Sequence, residues 1–160
     1  MTNDDEARVP DTLMKPGSTL MVGTQVHGRL EFRPLTVARV EGSRIDVLLD
    51  SNEEWVRAFD NGERVEVTMG DNRENVWVGA SGTARCVHDE SLIDELWNPF
   101  AAAYFDNGRE TPGIAVFEID LERGRYWTTT SGRLGSLISA VKAKLGGPED
   151  SGEHGDLATN

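Results

Sequence analysis

The sequence predicts an α+β chain built as a mixed β-barrel of about six strands carrying short helices. Three observations lead there. Apolar and polar residues alternate in several separate runs. The clearest has Val76, Val78, Ala80 and Gly82 facing one way and Trp77, Gly79, Ser81 and Thr83 the other, the period of a half-buried strand. Hairpin-type turn signals, His27-Gly28, Glu41-Gly42-Ser43 and Gly70-Asp71-Asn72, stand between those runs. Helical spacing is short and scattered, which is the wrong pattern for a doubly wound parallel sheet with its crossover helices.

Taken in order, residues 1–17 are polar and broken by Pro10 and Pro16, and read as a mobile N-terminal arm, while 18–146 read as the folded domain. Strands are expected over Thr19–Val26, Leu30–Val40 and Arg44–Leu49, the last with Ile45, Val47 and Leu49 on one face. Ser51 or Asn52 is expected to cap a short helix carrying Trp55, Val56 and Phe59, with Ser51 and Glu54 forming a capping box and Gly62 closing the helix. Arg64–Met69 is a further strand, which turns into the Val76 strand. Asp89 then caps a helix with Leu92, Ile93, Leu96, Trp97 and Phe100 at helical spacing. Pro99 interrupts it. Because proline suits a first helical position, Asn98 should cap a second helix. Pro112-Gly113 opens a strand with Ala115, Phe117, Ile119 and Leu121 in alternation, and Glu122-Arg123-Gly124 reads as a turn or bulge before Arg125-Tyr126-Trp127. Leu134, Leu137, Ile138, Val141 and Leu145 mark a C-terminal amphipathic helix, and 147–160 read as a disordered acidic tail.

With 160 residues, 38% of them hydrophobic, the chain can bury one core as a single domain. Its 28 acids against 16 bases give a formal charge of -12, so no cation surplus exists to displace counterions from a phosphate backbone, and no nucleic-acid partner is expected. The single cysteine, Cys86, rules out an intramolecular disulfide and points to a reducing compartment. No apolar run approaches bilayer length, so no membrane partner is expected and the expected location is cytoplasmic. His27, His88 and His154 lack paired ligand spacing, so no metal is expected.

Ser81-Gly82-Thr83-Ala84, the acidic Leu-rich helix ending in LWNPFAAAYF, and the following DNGRETPGIAVFEIDLERGRYW together resemble the general stress protein 26 family of pyridoxamine 5'-phosphate oxidase-like flavin proteins. LWNP and the terminal RYW carry most of the specificity. The resemblance extends back through Arg33-Pro34-Leu35-Thr36-Val37 and covers roughly Ser18 to Gly146. It implies an FMN-binding split β-barrel that forms a homodimer and holds FMN, or a flavin-like ligand, in a cleft between subunits.

By that resemblance Arg33 matches the arginine that holds the flavin phosphate, with backbone at Pro34, Leu35 and Thr36 meeting the ring system. Arginine suits the task because its planar fork binds phosphate oxygens in pairs. Leu49, Asp50 and Ser51 lie at the third strand's exit, where the family completes the phosphate cage with a Thr-Asp, a serine and a lysine. Here Leu49, Asp50, Glu53 and Trp55 align with those residues, so the cage loses its second cation and gains an acid. Trp97 and Trp127 match the family's tryptophans near the isoalloxazine edge or across the dimer, where flat aromatic surface suits a flavin. FMN is therefore expected to be weakly held or absent. The expected function is that of an oxidoreductase-like flavin-binding protein, with FMN as redox centre if present and no side chain standing out as acid or base. The alternatives are a relative that has lost FMN and serves as a dimeric binding or stress-related interaction module, and a binder of another flavin-like cofactor such as a deazaflavin. The substrate-phosphate motif of true pyridoxamine phosphate oxidases is absent, so that activity is not expected.

Overall fold

The computed structural model describes residues 14–73, 75–128 and, as backbone, 153–158. The amphipathic helix expected over Leu134–Leu145 lies outside the described residues. Among the described residues, seven strands, β1 (Thr19–Val26), β2 (Arg29–Glu41), β3 (Arg44–Asp50), β4 (Arg64–Asp71), β5 (Val76–Val87), β6 (Ile114–Thr128) and β7 (Glu153–Ala158), run in the order β3-β2-β1-β4-β5-β6-β7. All pairings are antiparallel, and β3 also pairs with β6, so β1 to β6 close into a ring. This is the expected barrel.

The strands of the ring form for local reasons. The β1–β2 turn places His27 and Gly28 at φ 48° and 77°, the positive-φ pair whose twist matches a two-residue hairpin. On β1, Leu20, Val22 and Val26 point inward and are buried, while Met21 and Gln25 face out. β3 is buried on both faces: Ile45, Val47 and Leu49 fill the barrel, and Leu48 packs outward beneath the helices. The pairing of β5 with β6 shifts at Ser81/Gly82, where the chain between Leu121 and Arg123 bulges. Below the bulge β6 closes the ring against β3, and above it β6 turns to β7. The barrel is split at that point.

Among the described residues, short α-helices decorate the ring: α1 (Glu54–Arg57), α2 (Glu90–Leu96) and α3 (Pro99–Tyr104). Asp89 caps α2 by accepting from the Leu92 amide, and Asn98 caps α3 by accepting from Phe100 and Ala101, with Pro99 at the first turn. Both match the expectation. Ile93, Leu96, Ala101 and Phe105 cover Leu48, Ile114 and Val116 in a second core outside the barrel. The first helix differs from its expected form. Ser51 does not cap it: both its amide and its hydroxyl bond to the Gly113 carbonyl, tying the β3 exit to the start of β6. Glu53 occupies the N-cap without a side-chain cap bond, so the capping box is absent, and the helix ends at Ala58 while Gly62 serves the turn into β4.

Two expectations at the ends change. Met14 is fully buried in the barrel core, and the Gly17 amide donates to the Val37 carbonyl, so the last residues of the expected 1–17 arm belong to the body. Glu153–Ala158, within the stretch expected as a disordered tail, pair as β7 with Arg123–Thr128 of β6. A ladder is made by backbone groups that every sequence possesses, so a polar composition does not forbid it.

Candidate functional site

Strand alternation sets the site. Arg33 lies opposite Val22, on the inward side of β2, and its guanidinium reaches the barrel mouth. There its Nη1 donates to the Thr24 hydroxyl at 2.7 Å, and its central carbon stands 4.2 Å from the Trp55 ring centroid. Burial pulls the guanidinium below its ordinary pKa, with Glu31 and Glu53 acting in the opposite sense. Trp55 is itself held from behind: it is buried and meets Phe117 edge-on at 5.5 Å, with Phe59 meeting the same ring at 5.1 Å.

Glu53 completes this arrangement. One carboxylate oxygen accepts from the Trp55 indole at 2.7 Å and the other from the Tyr104 hydroxyl at 3.0 Å. Burial first, and then this bond, push the Tyr104 phenol above its usual pKa. A chain of contacts therefore runs Thr24–Arg33–Trp55–Glu53–Tyr104 from the barrel interior to the lid helix α3. The open cleft beside it, about 340 Å³, is lined by Val26, Glu31, Arg33, Glu53, Glu54 and Trp55. Three carboxylates face one guanidinium in that lining. Arg57, in the last turn of α1, is exposed and is not among the lining residues.

The remaining expected residues separate into three places. Pro34, Leu35, Thr36 and Leu49 line a smaller cavity of about 70 Å³, closed on its other side by Asn98, Phe100, Ala101, Tyr104 and Phe105. Asp50 and Ser51 are engaged in the connection to α1: Asp50 accepts from the Asn52 amide at 2.8 Å, and Ser51 is tied to Gly113. Trp97 ends α2 and stacks on Phe105 at 5.8 Å within the lid. Trp127 lies at the far end of β6, directly opposite Trp77 of β5, and 44% of its surface is exposed. Thus β2 and the lid come together, and Trp127 belongs to a separate face.

That face is the outside of the β2–β1–β4–β5–β6 sheet. Phe32 lies over Gly23, Trp77 over Gly70 and Trp127 over Gly79, each aromatic resting on a glycine of the neighbouring strand, with Met21 between them. All four side chains are exposed.

Sequence reasoning singled out Arg33, Glu53 and Trp55 but missed Thr24, Glu31 and Tyr104. Tyr104 sits within the LWNPFAAAYF stretch, and only the packing of α3 reveals its reach to Glu53. Cys86 is half-buried and burial raises its thiol pKa, which disfavours the reactive thiolate. Among the described residues no group of three or more His, Cys, Asp or Glu is placed to hold a metal ion, and no helix is long and apolar enough to cross a membrane.

Comparisons with known proteins agree with this architecture. General stress protein 26 from Jannaschia sp. CCS1 superposes with a TM-score of 0.67 at 22% identity, covering 92% of this chain and 94% of that one. The general stress FMN/FAD binding protein of Xanthomonas citri matches with a TM-score of 0.62 at 24% identity, over 70% of this chain and 80% of that one. General Stress Protein 26 from Bacillus anthracis str. Sterne gives 0.62 at 17% identity, over 72% and 88% respectively. At these identities the solved structures establish a shared fold, the FMN-binding split barrel. Comparison with curated proteins gives no match. The family described as pyridoxamine 5'-phosphate oxidase like matches residues 4–150, nearly the whole chain, and the chain belongs to that family.

Proposed function

We propose that the chain is a homodimeric flavin-binding protein of the general stress protein 26 type, oxidoreductase-like and cytoplasmic, whose phosphate end is altered so that FMN is held weakly or not at all. The observation that carries this reading is the lining of the Arg33 cleft. A flavin phosphate bears nearly two negative charges and needs free cationic or amide donors. Here the single guanidinium already has Thr24 and Trp55 as partners, and Glu31, Glu53 and Glu54 face the same space. The residues at this end do not fit a phosphate dianion. Two unit charges about 5 Å apart repel by roughly 3 kcal/mol at an effective dielectric near 20. Solvent screening at the exposed Glu31 and Glu54 reduces their share, yet one effective repulsion of that size weakens binding by about a hundredfold.

The absorption spectrum of freshly purified protein tests the reading. The expected preparation is colourless and takes up added FMN only weakly. A yellow preparation with one FMN per chain refutes the altered phosphate end.

The exposed aromatic face favours the homodimer, whether or not a flavin is retained. Met21, Phe32, Trp77 and Trp127 place large apolar side chains on one face of a chain whose formal charge is -12, the kind of patch that marks an association surface. Light scattering at micromolar concentration is expected to give twice the chain mass. A strict monomer removes the intersubunit cleft and with it both the flavin reading and the dimeric-module alternative.

A further inference from the structure

We infer that the Arg33 cleft selects a flavin with an uncharged tail over its phosphorylated form, and that Glu53 is the residue that sets this preference. The inference rests on the flavin-binding reading above and names the ligand class for the same site.

Glu53 does more than add a negative charge. Its two carboxylate oxygens are engaged on opposite sides, one by the Trp55 indole N–H and the other by the Tyr104 hydroxyl. Those are the donors that an incoming phosphate would have to recruit, and an internal carboxylate already holds them. The electrostatic demand of Arg33 is met in the same way, because Glu53 and Glu31 both stabilise its charged form. The chain supplies its own anion at the point where an external one would bind. A phosphate dianion would have to displace Glu53 from two hydrogen bonds while remaining close to it, and would meet Glu31 and Glu54 besides.

A ribityl-type tail with hydroxyls and no charge faces none of these costs. Hydroxyls donate as well as accept, so they can bond to carboxylates that repel phosphate. The lining offers the exposed carboxylates of Glu31 and Glu54 for that purpose, the latter beside His27 at 3.2 Å, in a cleft of about 340 Å³, within the range of small-molecule sites. Glu53 also joins the cleft to the lid, since its partner Tyr104 lines the smaller cavity against Pro34, Leu35 and Thr36. Specificity at the tail and closure over β2 therefore share one carboxylate.

The test is a fluorescence titration of the full chain with riboflavin and with FMN, at low and at high ionic strength. Riboflavin is expected to bind about tenfold or more tightly than FMN at low salt, with the ratio shrinking as salt rises because the discrimination is charge repulsion. Glu53→Gln keeps an acceptor for Trp55 or Tyr104 and removes the charge, so it should lower the FMN-to-riboflavin Kd ratio by about tenfold. Glu31→Gln, at an exposed position 3.9 Å from Arg33, should shift the ratio in the same direction by a smaller factor. A wild-type chain that binds FMN more tightly than riboflavin overturns the inference and leaves the flavin-binding reading standing. A chain that binds neither overturns both. A ratio unmoved by Glu53→Gln removes Glu53 as the selecting residue.

Discussion

Truncating Phe117 to alanine tests how the candidate site is anchored to the barrel. Phe117 is fully buried on β6, opposite Val47 of β3 and Cys86 of β5, at the place where the ring closes. Two aromatic edges meet it, Trp55 at 5.5 Å and 85° and Phe59 at 5.1 Å and 73°. Removal of a buried phenylalanine side chain costs about 3–5 kcal/mol through lost transfer energy and the cavity left behind. Each edge-to-face pair adds about 0.5–1.5 kcal/mol beyond its buried area, which places this site at the upper end. For a domain of this size, about 4–5 kcal/mol corresponds to a fall in Tm of roughly 10–20 °C. The same change frees Trp55, the surface on which Arg33 stacks, so the environment of Trp55 should become more solvent-exposed below the transition. Urea denaturation followed by tryptophan fluorescence measures both effects. A loss under about 1 kcal/mol would mean that the aromatic cluster does not hold α1, and the derivation of the cleft from it would fail.

Gly82→Ala should be among the most damaging single-methyl changes available. Its Cβ would fall on the Asp120 carbonyl oxygen and 2.8 Å from the carbonyl carbon, so β5 and β6 must part at the bulge; a loss of several kcal/mol in denaturant titration is expected, and a neutral result would place the bulge elsewhere. Asp46 is fully buried and paired with Arg39 at 2.8 Å, yet its Oδ1 has no partner, and burial raises its pKa above the usual carboxylate value. A raised folded pKa means that the folded state binds the proton more tightly, so this group's contribution is full below the unfolded value of about 4 and is lost as pH rises through the folded value. Asp46→Asn should flatten that slope, and an unchanged pH profile of Tm would contradict it. Deleting residues after Pro148 removes β7 from Arg123–Thr128 and should cost about 1–3 kcal/mol, a few degrees in Tm; no change would show that the β6–β7 ladder contributes nothing to stability.

The strands and the broken lid were legible in the sequence because each depends on neighbours along the chain. Alternation at Ile45, Val47 and Leu49 needs only the period of a strand, and Asn98-Pro99 stops one helix and starts the next through proline's missing N–H and a side-chain cap. The resemblance carried by LWNP and RYW added the family, and Glu53 and Trp55 were visible as departures from it. What Arg33 does there was decided by closure of the ring. Register puts Arg33 on the inward side beside Thr24, while Trp55 is pressed against it by Phe117 from a strand some sixty residues further on. Glu53 meets Tyr104 across 51 positions of sequence, and Ser51 gives up its capping role for Gly113 across 62. Met14 became core and Glu153–Ala158 became a strand for the same reason. Burial of an isolated apolar residue and pairing of backbone groups depend on which surface lies nearby after folding, and local hydropathy carries no record of that.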